Sequence, residues 1–436
     1  MDIKQFEYKP LAHYSYALVS EGKMIIIDPE RNPEQYYKYA KEKNATIIGV
    51  IETHPHADFV SSHLQIYKET GATLYNSKKI NANYAFKSFD DGDEFLLGKI
   101  KIKANNTPGH SPDSITIVAS ENNETALFTG DTLFVGDIGR PDLRENDGDM
   151  ESKRKELAEK MYHTISEKFN DLPDNAKIFP AHGAGSLCGK GMSDKNSSTL
   201  GEERQNNWAF KNQTKEDFIN TFIPSYFSYN VAVNKNGASN LVASISNIPF
   251  YKNTIAEGLI VDTREEKEFK KNHLQGSFNI QVVSKNAKFE TWLGSIIEPE
   301  EKFTIVIDDK ENKNEILHRV AKIGYENFVE KVITLQKDTL EVSHLLNIQD
   351  FKENLDNYTI IDIRNTSEVK KGKIFDNAIS HPLNNLRNTL DKIPTDRPIV
   401  VHCAGGYRSA AGASILEKSL KNVKIFDLSN QINQFK

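Results

Sequence analysis

Two groups of residues in this 436-residue chain have the types and spacing to do chemistry. The first is Thr53-His54-Pro55-His56-Ala57-Asp58, where three potential metal ligands stand at i, i+2 and i+4 after an apolar run, 47–51. On a loop between a strand and a helix, that spacing lets three side chains point to one side, as a metal ion needs. His110, Asp131 and His182 follow in order, in Thr107-Pro108-Gly109-His110, Phe128-Thr129-Gly130-Asp131 and Pro180-Ala181-His182-Gly183. A glycine beside each lets the backbone turn tightly next to a ligand. The second group is Cys403-Ala404-Gly405-Gly406-Tyr407-Arg408, between the apolar Pro398-Ile399-Val400-Val401 and a helix-compatible run that starts at Ser409. A cysteine between a buried strand and a helix N-terminus is ringed by backbone N–H donors, which favour a thiolate and any anion attached to it.

The elements that must hold these residues follow from hydrophobic periodicity. Up to about residue 201, short β-rich runs (24–28, 46–52, 114–119, 126–129 and 177–180) alternate with helix-like stretches at 32–43 and 61–70, an α/β pattern. Four of the β-runs end at clusters of His, Asp and Gly, so function is expected at one edge of the sheets. Farther on the chain repeats itself. Leu259-Ile260-Val261-Asp262-Thr263-Arg264 and Thr359-Ile360-Ile361-Asp362-Ile363-Arg364 share one pattern, and Glu268, Lys270 and Lys271 recur as Glu368, Lys370 and Lys371. The second half is a duplication. Aligning residues 304–309 with 398–403 sets Asp309 opposite Cys403 and Asn314 opposite Arg408, so the first copy lacks the nucleophile. Three domains are expected: 1–245 including a connector, 246–345 for the degenerate copy, and 346–436 for the active one.

Lys and Arg number 55 against 61 Asp and Glu, a net charge of −6. No basic stripe with interleaved aromatic residues appears, which argues against a nucleic-acid partner. No apolar run approaches the roughly 18 residues that span a bilayer, and Met1-Asp2-Ile3-Lys4-Gln5-Phe6-Glu7 lacks the apolar stretch of a secretory signal. A cytoplasmic protein is expected, with no membrane partner. In a reducing compartment Cys188 and Cys403, the two cysteines, are not expected to form a stabilising disulfide.

The ordered set from His54 to His182 resembles the metallo-β-lactamase fold over roughly the first 200 residues, and Cys403 to Arg408 resembles the active-site loop of the rhodanese family. Four residues separate Cys403 from Arg408; cysteine phosphatases place five there, around a tetrahedral phosphate, and the tighter loop suits one sulfur atom. The implied fold is a metallo-β-lactamase αββα sandwich followed by two rhodanese-like α/β domains with parallel sheets. Two-metal members of the first family, such as the glyoxalase II thioesterases, carry a histidine directly after the motif aspartate, where this chain has Phe59. That departure favours one metal. In the persulfide dioxygenases of this fold the metal is a single Fe(II) on two histidines and an aspartate, positions that match His54, His110 and Asp131. His56, Asp58 and His182 then orient ligands or substrate.

The combination resembles bacterial persulfide dioxygenase–rhodanese fusions. It implies one Fe(II) per chain, with a low-molecular-weight thiol persulfide, O2 and sulfite as partners, and a homo-oligomer is expected. Cys403 is the implied nucleophile, the backbone of Ala404, Gly405, Gly406, Tyr407 and Ser409 stabilises its persulfide, and Arg408 orders the loop or attracts anions. Arg140, in Gly136-Asp137-Ile138-Gly139-Arg140-Pro141-Asp142, is read either as a grip on an anionic thiol carrier or as a surface ion pair. Cys188, beside Lys190, is read either as a reactive thiol that relays sulfur or as a small packed side chain. Rival readings are a dizinc thioesterase fused to a rhodanese and a non-catalytic sulfur carrier or sensor.

Overall fold

The computed structural model describes residues 1–140, 150–186, 188–189, 192–211, 213–220, 243–282, 287–308, 313–336, 340–365, 368–369 and 372–436. They form two compact units: residues 1–243 with 322–324, and residues 244–321 with 325–436. Both halves of the duplication thus share one unit. Asp309, Lys190, Lys370 and Lys371, named above, lie outside the described residues, as does most of the connector after residue 220. No helix among the described residues is long and apolar enough to cross a membrane.

The first unit contains two six-stranded sheets. One runs in the order Asp2–Tyr8, His13–Ser20, Lys23–Ile27, Thr46–Ile51, Thr73–Asn76 and Lys87–Ser88. The other runs Ser198–Thr199, Lys177–Pro180, Glu124–Gly130, Ile115–Glu121, Ile100–Asn106 and Glu94–Leu97. Alternation builds the core between them. Ile100, Ile102 and Ala104 turn inward while Lys101 and Lys103 face water, as the two-residue period of a strand requires. They meet Tyr16, Leu18, Ile25, Ile27 and Phe128 from the surrounding strands. The helices Glu34–Glu42 and His63–Thr70 bury Tyr36, Ala40 and Ile66 against the outer face of the first sheet. Met150–His163 packs Met161 against Leu127 and Ile178 of the second. The αββα sandwich expected from the sequence is therefore present. The expected β-runs lie within two residues of observed strands.

In the second unit the two copies repeat one topology. Ile260–Asp262 pairs in parallel with Phe278–Asn279 and Phe303–Val306, and the latter with Val329–Leu335. Thr359–Asp362 likewise pairs with Ile379–Ser380 and Ile399–His402, and the latter with Ile425–Asp427. The first copy adds Phe250–Thr254 beside Val329–Leu335. The repeated Asp-x-Arg has a structural cause. Arg264 Nη2 donates to Asp262 Oδ2 at 2.7 Å and to the Asn272 carbonyl at 2.7 Å. Arg364 Nη2 donates to Asp362 Oδ2 at 2.7 Å and to the Gly372 carbonyl at 3.0 Å. Each pair is buried and ties the end of a central strand to the segment after it.

Candidate metal centre and sulfur-transfer loop

Four strand ends deliver the metal-type side chains to one edge of the sandwich. Thr46–Ile51 leads into His54, Ile100–Asn106 into His110, Glu124–Gly130 into Asp131, and Lys177–Pro180 into His182. The ligand atoms of His54, His110 and Asp131 all lie within 4.8 Å of one another, and all three residues are buried. Asp131 Oδ2 stands 3.8 Å from His54 Nε2 and 3.6 Å from His110 Nε2, and it has no hydrogen-bond partner. Leaving a buried carboxylate oxygen unpaired is costly. A cation between the three would remove that cost.

The imidazoles are already in the tautomer a metal requires. His110 Nδ1 lies 2.9 Å from the carbonyl of Arg140, which can only accept, so Nδ1 carries a proton and Nε2 is the nitrogen left to meet a metal. For His54 the same result takes two steps. Thr53 Oγ1 donates to Asp28 Oδ2 at 2.8 Å and therefore accepts from His54 Nδ1 at 3.0 Å. Burial, followed by the neighbouring His56, holds the His54 imidazole well below its usual range and so neutral. Such second contacts fix ligand orientation. Gly139 is obligatory beside the site, because a Cβ there would meet the Asp131 carbonyl oxygen at 1.7 Å.

His182 joins this group through hydrogen bonds. Its Nδ1 donates to Asp131 Oδ1 at 2.7 Å and its Nε2 to Asp58 Oδ2 at 2.8 Å. Burial disfavours its charge, yet Asp131 and Asp58 outweigh that and hold the imidazole well above its usual range. His56 turns elsewhere, to Asp28 Oδ1 at 3.2 Å and Glu52 Oε2 at 3.8 Å. Phe59 is buried, with its ring 4.3 Å from His56 and 4.1 Å from His13 between centroids. Cys188 is also buried, and its sulfur groups with the ligand atoms of Asp58 and His182. Burial, with Asp131 and Asp58 next, pushes the Cys188 thiol well above its usual range. The Arg140 N–H donates to the Cys188 carbonyl at 3.1 Å. Arg140 thus orients His110 through its backbone, a role its side chain did not advertise.

In the second unit Cys403 is buried and unbridged. The Gly406 N–H donates to its Sγ at 3.1 Å. Gly406, at φ +105°, precedes the helix Tyr407–Ser419, and Ser409 Oγ caps its carbonyl at 2.8 Å. Arg408 donates two bonds to Glu368, at 2.6 and 2.7 Å. That pair and the Cys403 sulfur outweigh burial and hold its pKa above the usual value. Tyr407 Oη donates to the Gln281 carbonyl of the first copy at 2.5 Å. Ala404 is half-buried and Gly405 exposed.

The comparisons with known proteins fit these two sites. Residues 8–182 match the model of the metallo-beta-lactamase superfamily, and residues 249–333 and 347–436 match the rhodanese-like domain. A solved metallo-beta-lactamase from Staphylococcus aureus subsp. aureus COL is 31% identical, with a TM-score of 0.69, over 77% of this chain and 99% of that one. This chain belongs to the metallo-β-lactamase superfamily. It carries tandem rhodanese-like domains after the metallo-β-lactamase domain. Among curated relatives, the mitochondrial persulfide dioxygenase ETHE1 of Bos taurus is 28% identical over 36% of this chain and 58% of its own length. A hydroxyacylglutathione hydrolase of Prochlorococcus marinus (strain NATL1A) is 32% identical over 36% of this chain and 59% of its own. The chain thus spans a little under three-fifths of those relatives.

The metallo-β-lactamase site also contains residues that motif reading passed over. Asp28 follows the strand Lys23–Ile27 and accepts from the Thr53 N–H at 2.7 Å. Glu52 accepts from Ser61 Oγ at 2.7 Å, and burial pushes its carboxyl up to about 8. His63 stands 3.8 Å from Glu52, and burial holds it down at about 3. His13 packs its ring on Phe59. The one available signal was a charged residue at the end of an apolar strand, which holds for Asp28 and Glu52.

Proposed function

We propose that the chain is a non-haem Fe(II) persulfide dioxygenase joined to a sulfurtransferase, acting on low-molecular-weight thiol persulfides in sulfide detoxification. In the first reaction a persulfide, O2 and water give the free thiol, sulfite and protons. Two neutral imidazoles and one carboxylate, His54, His110 and Asp131, suit Fe(II) and leave open positions for O2 and a substrate sulfur. Bound there, iron supplies the O2 activation that no side chain provides. Thr53 and the Arg140 carbonyl keep both Nε2 lone pairs aimed inward, while His182 holds a proton between Asp131 and Asp58. Phe59 supplies no imidazole beside the second group, Asp58, His182 and Cys188, and so favours one metal. The similarity to ETHE1 fits this reading.

In the second reaction Cys403 attacks the outer sulfur of a persulfide, releases the thiolate and becomes a persulfide itself. Sulfite then attacks that outer sulfur, the S–S bond breaks toward Cys403, and thiosulfate leaves. Gly406 N–H stabilises the sulfur anion, and Arg408 steadies the loop through Glu368. The observation that carries the proposal is the pairing, in one chain, of the buried His54, His110 and Asp131 set with a Cys403 loop of single-sulfur size.

The test uses full-length protein purified without air. About one iron per chain is expected, with O2 uptake on persulfide addition and thiosulfate produced when persulfide is in excess. Cys403→Ser should abolish thiosulfate and spare O2 uptake. Similarity to the hydroxyacylglutathione hydrolase favours a second reading, a thioesterase. Two zinc ions per chain and hydrolysis of thioesters without O2 uptake would establish that one instead.

A further inference from the structure

The first rhodanese-like copy carries Asp309 where the second has Cys403, yet it grips the surroundings of the Cys403 loop at two points. Tyr407 opens the helix Tyr407–Ser419 directly after Gly406, and its Oη donates to the Gln281 carbonyl of the first copy at 2.5 Å. Gln281 Nε2 donates back to the Tyr407 carbonyl at 3.4 Å. Gln281 is buried, and its Oε1 accepts from the Glu266 N–H at 3.1 Å, so the anchor is itself fixed. The second point is the segment at Ser429 and Asn430, so close to Gly406 that a Cβ there would meet its backbone at 2.6 Å. Ser429 is held at φ +52°, a conformation that a non-glycine residue keeps only where its surroundings fix it. Its Oγ donates to the Glu266 carboxylate. Asp427, which accepts from the Ser429 N–H at 2.8 Å, pairs with Lys270 of the first copy at 2.7 Å.

Glycine has no side chain to restrain its backbone, and a Cβ on Gly405 would have nothing within 4 Å. The direction of the Gly406 N–H, which donates to Cys403 Sγ at 3.1 Å, therefore depends on the Tyr407 anchor and the wall at 429–430. We propose that Gln281 and Glu266 of the first copy are positioning residues of the sulfur-transfer site: acting through Tyr407 and Ser429, they keep the Gly406 N–H on the Cys403 sulfur. This rests on the sulfur-transfer reading of Cys403 above. The bond matters most as sulfite takes the outer sulfur and the electron pair of the S–S bond returns to Cys403 Sγ. A copy without a nucleophile thus keeps a part in the reaction, since holding a loop needs no cysteine.

The experiment loads the full-length metal-bound protein with cysteine persulfide, removes the excess, and follows loss of the outer sulfur from the Cys403 peptide by mass spectrometry over a range of sulfite concentrations. Tyr407→Phe keeps the ring and removes the hydroxyl; Glu266→Ala removes the acceptor for Ser429. Each is expected to lower the maximal discharge rate roughly three- to tenfold, as for one ordinary hydrogen bond lost, with the half-saturating sulfite concentration changed less than about twofold. Glu266→Gln, which retains an oxygen for Ser429, should restore the wild-type rate. Ser414→Ala serves as the control, because it removes a different bond between the copies, from the Asn279 N–H to Ser414 Oγ at 3.0 Å; discharge should be unchanged. Wild-type rates in both Tyr407→Phe and Glu266→Ala, a loss confined to sulfite affinity, or equal slowing in Ser414→Ala overturns the assignment. If wild-type Cys403 takes up no sulfur, or gives none to sulfite, the sulfur-transfer reading itself fails, and this inference with it.

Discussion

His54 and His110 reach the centre with their Nδ1 protons already committed, one to Thr53 and one to the Arg140 carbonyl. The grouping of His54, His110 and Asp131 was legible in the sequence because His, Asp and Gly at fixed offsets are a local signal. The groups that fix the tautomers were not, since a threonine hydroxyl or a backbone carbonyl carries no motif. Thr53→Val keeps the shape but removes the acceptor and leaves Asp28 short of a donor. Metal affinity should fall about 10- to 100-fold, measured by competition with a chelator, and Thr53→Ser should retain it. Equal affinity in the valine variant would mean that the imidazoles need no help from Thr53.

The Cys403 loop shows how a strand and a helix impose conditions on the residues between them. Gly406 adopts φ +105°, and a Cβ there would meet the Asn430 nitrogen and the Ser429 carbonyl carbon at 2.6 Å. Gly405 has nothing within 4 Å. Gly406→Ala should therefore cost about 1–3 kcal/mol, move the N–H away from Cys403 Sγ and cut thiosulfate formation at least tenfold. Gly405→Ala should do neither, and similar losses in both would show that the loop tolerates no side chain for some other reason. The glycine pair was legible in the sequence; which of the two is indispensable depends on backbone from 429–430.

Farther along the same helix, burial and the nearby Asp427 push the Glu417 carboxyl up to about 7, from an ordinary 4.5. Folding therefore favours the protonated form. The carboxyl costs nothing below about pH 4.5, and stability declines as pH rises toward 7. Glu417→Gln should accordingly gain about 1–3 kcal/mol over wild type at pH 8 and almost nothing near pH 4.5. Urea unfolding of both proteins at the two pH values checks this. A gain that does not depend on pH would point to packing rather than charge.

For the whole molecule, each compact unit has its own core, and the candidate metal ligands all lie in the first. A ligand that binds only the native state stabilises by about 4 kcal/mol when its free concentration is a thousandfold above Kd. Removing the metal should thus lower one calorimetric transition and leave the other in place. Parallel shifts of both would show that the units do not unfold separately. The duplication, the αββα order and the loss of the cysteine from the first copy were all legible in the chain, because periodicity and repetition survive without coordinates. The strands Asp2–Tyr8 and His13–Ser20 were not called, although they pair with each other and edge the first sheet.

By itself the sequence determined the candidate ligand types, their order, the glycines beside them and the two copies with one cysteine between them, since each is a matter of short-range spacing. Tertiary structure alone decided that Asp28 supports Thr53, that Arg140 serves His110 through its carbonyl, and that Trp292 stands against Arg408. Those contacts join residues 25 to 116 positions apart. Spacing along a chain fixes what a loop can offer, but only packing between distant strands and helices fixes what each offered group meets.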